Sequence, residues 1–237
     1  DGNYSYVWEE SLDSLNFTTA TQSNTNTSYQ AEQLIESNYY RLEISSDYGC
    51  GTVYTNVVKD SVYSELTAPV ISSSQSICYA SSPELLSMDV AATGGGNISY
   101  TYEWQESLNG TDWNNLTEYG ITYQAADLTT STYYRLSATS SFDCGPIFSD
   151  SVYIEVYEAL ESGEISSNQN ICYGSMPSEL SFNIASSGAD GNYTYLWEQS
   201  INDIDYEPST QLNINTVYQS ESLTEPIYYR VQVSSTY

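Results

Sequence analysis

The sequence contains no histidine and only four lysines and arginines together. Without an imidazole there is no Ser–His–Asp or Cys–His nucleophile pair and no histidine-based metal site. Carboxylate pairs could still do chemistry, but no pattern points to one, so the expectation is a protein that is not an enzyme. The few basic residues stand against 31 aspartates and glutamates, a formal net charge of −27. Such a surface repels phosphate backbones and anionic lipid, which argues against nucleic acid and against direct membrane association. It also keeps chains soluble and mutually repelling. No apolar run is long enough to span a bilayer. No Asp-x-Asp-x-Asp-Gly loop is present. No cofactor is expected, and calcium only as a cation held loosely by the acidic surface.

What is present is aromatic and β-forming. Tyrosine alone supplies 25 of 237 residues, and 40% of the chain is hydrophobic. Serine, threonine and asparagine are abundant while the helix formers alanine, lysine and arginine are scarce, so the chain reads as all-β.

Self-comparison is the most informative step. Ile71-Ser-Ser-Ser-Gln-Ser-Ile-Cys-Tyr79 returns as Ile165-Ser-Ser-Asn-Gln-Asn-Ile-Cys-Tyr173, an offset of 94 residues, and Pro83 returns as Pro177. Tyr-Tyr-Arg occurs at 39–41, 133–135 and 228–230, and Tyr-x-Tyr-x-Trp at 4–8, 100–104 and 193–197. The reading is tandem repeats of about 94 residues: a partial repeat at 1–66 lacking its first strands, a complete one at 67–160, and a partial one at 161–237 lacking its last strand. The partial repeats imply either a longer chain or subunits that complete one another by strand exchange.

In the middle repeat, Pro69 and Ser72–Ser74 read as a linker and Ile77–Tyr79 as a short first strand. Leu85–Ala91 reads as a second. Ser99–Gln105 alternates, with Tyr100, Tyr102 and Trp104 on one face. Asn109-Gly110 marks a hairpin. Thr122–Ala125, Thr132–Thr139 and Val152–Tyr157 supply later strands. About seven strands with turns at this spacing predict an immunoglobulin-like β-sandwich, with Trp8, Trp104 and Trp197 buried against the opposite sheet.

Two cysteine pairings respect the period. One joins Cys78 to Cys144 inside the middle repeat. The other joins Cys50 to Cys78 and Cys144 to Cys172 across the linkers. Taking the first strand to start beside the turn between the last two strands favours Cys78–Cys144, with Cys50 and Cys172 paired outside the chain. Such a bridge implies an oxidising compartment. Arg41, Arg135 and Arg230, three of the four basic residues, share one repeat position. A strand-face arginine paired to a cross-strand carboxylate and stacked on aromatics is expected, ahead of a ligand-anchoring cation. Phe17, Trp113 and Tyr206 share another position and read as packed hairpin aromatics, with sugar stacking as the alternative. Asn16, Asn97, Asn115 and Asn192 begin Asn-x-Ser/Thr triplets, a weak pattern in a chain of this composition.

The run from Ile71 through Gln75-Ser-Ile-Cys78, Pro83 and Gly94, then Tyr100-Thr-Tyr-Glu-Trp-Gln-Glu-Ser107, Asn109-Gly110, Trp113, Tyr123, Leu128, Thr132-Tyr-Tyr-Arg135 and Cys144, resembles a known repeat type. It is similar to the immunoglobulin-like or PKD-like repeats of giant cell-surface adhesins and gliding-motility-associated proteins of Bacteroidota. The resemblance implies an extracellular protein exported by type IX secretion, with roles in adhesion, gliding or filaments. It also implies O-glycosylation at Asp-Ser-hydrophobic sites, here Ser14, Ser61 and Ser151. The expected function is a non-catalytic stalk or fibre whose partners are neighbouring repeats, identical chains or surface glycans. The alternatives are a filament subunit completed by strand exchange and a carbohydrate-binding or spacer module of a secreted enzyme.

Overall fold

The computed structural model describes residues 3–22, 25–96, 99–209 and 214–235. Among them every regular element is a β-strand, as expected of a chain rich in tyrosine and threonine. The first repeat holds β1 (Tyr4–Ser11), β2 (Thr18–Thr19), β3 (Asn38–Ser46), β4 (Thr52–Tyr54) and β5 (Val58–Asp60). The second holds β6 (Val70–Ile71), β7 (Gln75–Ile77), β8 (Leu86–Val90), β9 (Tyr100–Ser107), β10 (Asn114–Tyr119), β11 (Thr122–Tyr123), β12 (Thr132–Ser140), β13 (Ile147–Phe148) and β14 (Val152–Val156). The third holds β15 (Glu158–Glu161), β16 (Glu164–Ile165), β17 (Leu180–Ile184), β18 (Ser187–Ala189), β19 (Tyr193–Ser200), β20 (Glu207–Pro208), β21 (Val217–Tyr218) and β22 (Tyr228–Ser235).

The architecture is a tandem of immunoglobulin-like β-sandwich repeats. In the middle repeat one sheet runs β10-β9-β12-β14-β7, with β13 also on β12, and the other runs β11-β8-β6. Between them lie Ile71, Ile77, Leu86, Trp104, Ala125, Tyr134, Leu136, Val152 and Ile154. Trp104, Leu86, Leu136 and Ile154 are fully buried, each worth about 1.5–3 kcal/mol or more of transfer free energy. The alternation seen in Tyr100–Ser107 is the cause: every second side chain points inward.

The repeats share a central pair of antiparallel strands. β1 pairs with β3 without interruption from Tyr4↔Ser46 to Ser11↔Tyr39. β19 pairs with β22 in the same manner, from Tyr193↔Ser235 to Ser200↔Tyr228. The described first repeat is one sheet, β2-β1-β3-β4 with β5 on β3. The third repeat has β16-β17-β21 and β20-β19-β22, with Leu180, Trp197 and Tyr218 between them.

By their contacts the residues form two compact units, one of 1–68, 91–101 and 138–147, the other of 69–90, 102–137 and 148–237. Within the first, the end of repeat one meets loops of repeat two. Thr67 bridges Thr93, the Gly95 N–H donates to the Ser64 carbonyl at 2.8 Å, and Tyr63 stacks on Phe142 at 4.3 Å. Within the second unit, β15 pairs with β18 where repeat two leads into repeat three. One glycine recurs at both joints. A Cβ on Gly94 would lie 1.9 Å from the Glu65 carbonyl oxygen, and one on Gly188 would lie 1.9 Å from that of Ala159. Both glycines have positive φ, +86° and +81°. The position requires glycine for space and for conformation.

Two expectations change. First, Ser72–Ser74 is no linker between repeats. Val70–Ile71 already pairs with β8 and Gln75–Ile77 with β14, so the serines carry the chain from one sheet to the other. Second, that crossing defeats the Cys78–Cys144 bridge. Cys50, Cys144 and Cys172 carry free thiols, and the Cys78–Cys144 bond is absent. β7 runs parallel to β14, with Ile77 opposite Val156, and β14 meets β12 at Thr132↔Ile154. Cys78 therefore follows the strand at the Thr132 end, while Cys144 lies past Ser140. The inference of an oxidising compartment loses that support. The closing strand of repeat one keeps the register of the middle repeat: Val58 lies opposite Tyr40 as Val152 lies opposite Tyr134, at the same 94-residue offset on both strands. β5 is fully exposed where β14 is half-buried.

Candidate functional site

The feature built most alike in all three repeats is an arginine held on the outer face of the central strand pair. β1 and β3 set Glu9 opposite Arg41, and β19 and β22 set Glu198 opposite Arg230. Each arginine Nε donates to the facing carboxylate at 2.7 Å. In the middle repeat Gln105 replaces the glutamate, and Arg135 Nε donates to its Oε1 at 2.7 Å. The expected cross-strand carboxylate is thus present in two repeats and replaced by a carboxamide in one.

Aromatic rings cover the guanidinium. Arg41 lies 4.1 Å from the Phe17 ring centroid and 4.0 Å from that of Tyr54. Arg135 lies 4.1 Å from Trp113 and 3.9 Å from Phe148. Arg230 lies 4.0 Å from Tyr206. Burial under its rings pushes the Arg135 pKa below the ordinary guanidinium value. The hairpin aromatics Phe17, Trp113 and Tyr206 are therefore lids on an arginine. The clamp carries no nucleophile or acid–base pair; it ties hairpin to sheet by charge, hydrogen bond and ring contact. The second ring was legible in the sequence, because Tyr54 and Phe148 each fall four residues after a cysteine.

The hairpin that brings each lid into place has its own recurring bracket. Ser11, Ser107 and Ser200 hydroxyls donate to the side-chain oxygens of Asp13, Asn109 and Asn202 at 2.9–3.0 Å. Those oxygens accept the backbone N–H groups of the turn: Leu15 and Asn16, Thr111 and Asp112, Ile204 and Asp205. Asn109 and Asn202 also bind Asp112 and Asp205, and in the first repeat the pair is inverted, Asn16 donating to Asp13. Backbone donation from Asn16 and Leu15 holds the Asp13 carboxyl well below the usual carboxylate range. Ser14, Gly110 and Asp203 take the left-handed position, at φ of +62°, +73° and +60°.

This places the three serines singled out for glycosylation in different settings. Ser14 is the half-buried turn residue of a hairpin, while Ser61 and Ser151 are exposed beside closing strands. Asp13-Ser-Leu15 is a turn bracket and has no structural kinship with the other two.

Trp104 and Trp197 are fully buried, whereas Trp8 is half-buried and stacks on Tyr29 at 5.8 Å. The Trp8 and Trp197 indole N–H groups donate to the Asn26 and Asn215 carbonyls at 2.9 Å. The Trp104 N–H finds no acceptor among the described residues. Around these rings burial raises the pKa of Tyr40, Tyr123, Tyr134 and Tyr229. No group of three or more histidine, cysteine, aspartate or glutamate side chains is placed to hold a metal ion among the described residues. Asn97 lies outside them.

No curated protein matches the chain. Among solved structures it is similar to the three N-terminal domains of the bacteriophage RB49 Highly Immunogenic Outer Capsid protein (Hoc). That likeness is at 15% identity over 99% of this chain and 77% of that one, with a TM-score of 0.36. It is also similar to the chicken CNTN1 FN1–FN3 domains, at 14% identity over 97% and 82%, with a TM-score of 0.28. Likeness of this degree carries no functional conclusion. A family described as a domain of unknown function, DUF8696, matches at residues 1–64, 67–158 and 161–237. The arginine clamp, the hairpin bracket and the joint glycine recur on the same period as those matches, and the chain belongs to that family, DUF8696.

Proposed function

We propose that the chain is a non-catalytic structural array, a stalk or fibre region of a large extracellular surface protein of the Bacteroidota adhesin kind that its motifs resemble. The observation that supports this reading most is repetition of load-sharing parts rather than of a cleft. The same arginine clamp appears at Arg41, Arg135 and Arg230, and the same glycine joint at Gly94 and Gly188. Stacked units of this sort depend mainly on their neighbours for stability. Acidity of −27 favours separate, extended chains over collapse.

Antibodies against this chain test the reading on cells that make the protein. They are expected to label intact, unpermeabilised cells along thin surface fibres. Labelling that appears only after permeabilisation contradicts it.

A further inference from the structure

Asn109-Gly110 is the single Asn-Gly step in the chain. That dipeptide is reactive by its nature. Glycine has no Cβ to shield its amide nitrogen, and its backbone freely takes the shapes that bring this nitrogen onto the asparagine Cγ. The same turn position holds Asp13-Ser14 in repeat one and Asn202-Asp203 in repeat three. Only the middle hairpin combines the carboxamide with the glycine.

The folded hairpin ties up each group that the reaction needs. The Gly110 N–H, on the nucleophilic nitrogen, donates to Ser107 Oγ at 2.9 Å. Asn109 Oδ1 accepts from Ser107 Oγ and from the Thr111 and Asp112 N–H groups at 2.8–3.0 Å. Asn109 Nδ2, the leaving nitrogen, donates to the Asp112 carboxylate at 2.8 Å. Ser107 is only 1% exposed, so these bonds are anchored in the sheet, while Asn109 itself is exposed.

We propose that Asn109 is a deamidation site gated by the fold, held inert by Ser107 and Asp112 and modified when the middle hairpin opens. In the open chain the Gly110 nitrogen attacks Asn109 Cγ and forms the N–Cγ bond of a succinimide. The Cγ–Nδ2 bond breaks, and Nδ2 leaves as ammonia with the proton from the Gly110 nitrogen. Water then adds to one of the two succinimide carbonyls and opens the ring to aspartate or isoaspartate. Aspartate puts an oxygen where Nδ2 stood, facing the Asp112 carboxylate, so an attraction becomes a like-charge contact. Repeat one shows the pairing that suits an aspartate here: Asp13 accepts from Asn16 Nδ2 at 2.7 Å. Asp112 precedes Trp113, the lid on Arg135, so the modified hairpin holds the clamp less firmly. Because ammonia is lost, the change is a lasting record that the repeat has opened. The proposal stands on the hairpin geometry and not on the stalk reading, so either can fail alone.

Mass mapping of the 237-residue chain after incubation at neutral pH tests it. Deamidation at Asn109 is expected to be about tenfold slower, or more, in the folded chain than in guanidinium chloride, as local opening limits it. Ser107→Ala should speed the reaction in the folded chain, with amide protection in β9 and β12 intact. Asn109→Asp, which mimics the product, should lower the urea midpoint, and adding Asp112→Asn should recover most of the loss. Equal rates in the folded and unfolded chain would overturn the proposal. So would an unchanged rate in a folded Ser107→Ala chain, or an Asn109→Asp loss that Asp112→Asn fails to repair.

Discussion

The Arg135 guanidinium lies between two rings, 4.1 Å from the Trp113 centroid and 3.9 Å from that of Phe148. A lysine ammonium there keeps the charge but loses the planar stacking surface and the fixed Nε bond to Gln105. Arg135→Lys is expected to destabilise the middle repeat by about 1–2 kcal/mol. Arg230, with a ring contact only to Tyr206 among the described residues and a more exposed side chain, should lose less. Urea midpoints of the two variants check the order.

Gly94 and Gly188 close the two joints against backbone carbonyls, while Gly49 has a similar φ of +71° and nothing within 4 Å of its would-be Cβ. Gly49→Ala should cost only the left-handed penalty, roughly 1 kcal/mol. Gly94→Ala and Gly188→Ala should cost more than about 2 kcal/mol each, because the backbone must also move. Thermal melts of the three variants, each against the parent chain, measure this.

The two fully buried tryptophans differ in one bond. Trp197 donates to the Asn215 carbonyl, and Trp104 has no described acceptor. Replacement by phenylalanine leaves a comparable cavity at each site. Trp197→Phe should therefore cost about 1 kcal/mol more than Trp104→Phe, the net value of one hydrogen bond. Equal losses would show that the Trp104 N–H is satisfied in solution.

Burial raises the pKa of Tyr134 above the ordinary phenol value, and those of Tyr123, Tyr40 and Tyr229 likewise. The folded state keeps these phenols protonated, while the unfolded chain releases their protons near pH ~10. Stability is thus fully present below about pH 10 and is lost as pH rises toward the folded values. Near-UV circular dichroism should collapse in the same alkaline range in which tyrosinate absorbance rises for these residues. Tyr134→Phe should make that loss shallower.

The hairpin strands were legible because Tyr100, Tyr102 and Trp104 alternate, and the repeat period was legible because motifs at Ile71, Pro83 and Cys78 agree on one offset. The arginine position was legible because basic residues are so few. The ends of the sandwich were not. Whether Cys78 lies beside Cys144 depends on the direction of β7, and that direction follows from a crossing between sheets at Ser72–Ser74 that composition does not mark. The joint was also hidden: Gly94 and Gly188 read as turn residues, and only packing against Glu65 and Ala159 shows why glycine is required. Asp13-Ser-Leu15 looked like the motif at Asp150, yet its carboxylate closes a hairpin through Leu15 and Asn16.

The central claim is a tandem of immunoglobulin-like repeats in which the middle one is a sandwich with its own core, and single-molecule extension of the 237-residue chain tests it most directly. The account predicts a discrete unfolding event from the middle repeat, releasing about 300 Å of contour length for a repeat of about 94 residues at ~3.6 Å per residue less its folded span. A smooth, featureless extension, or a single event releasing the whole chain at once, would contradict it.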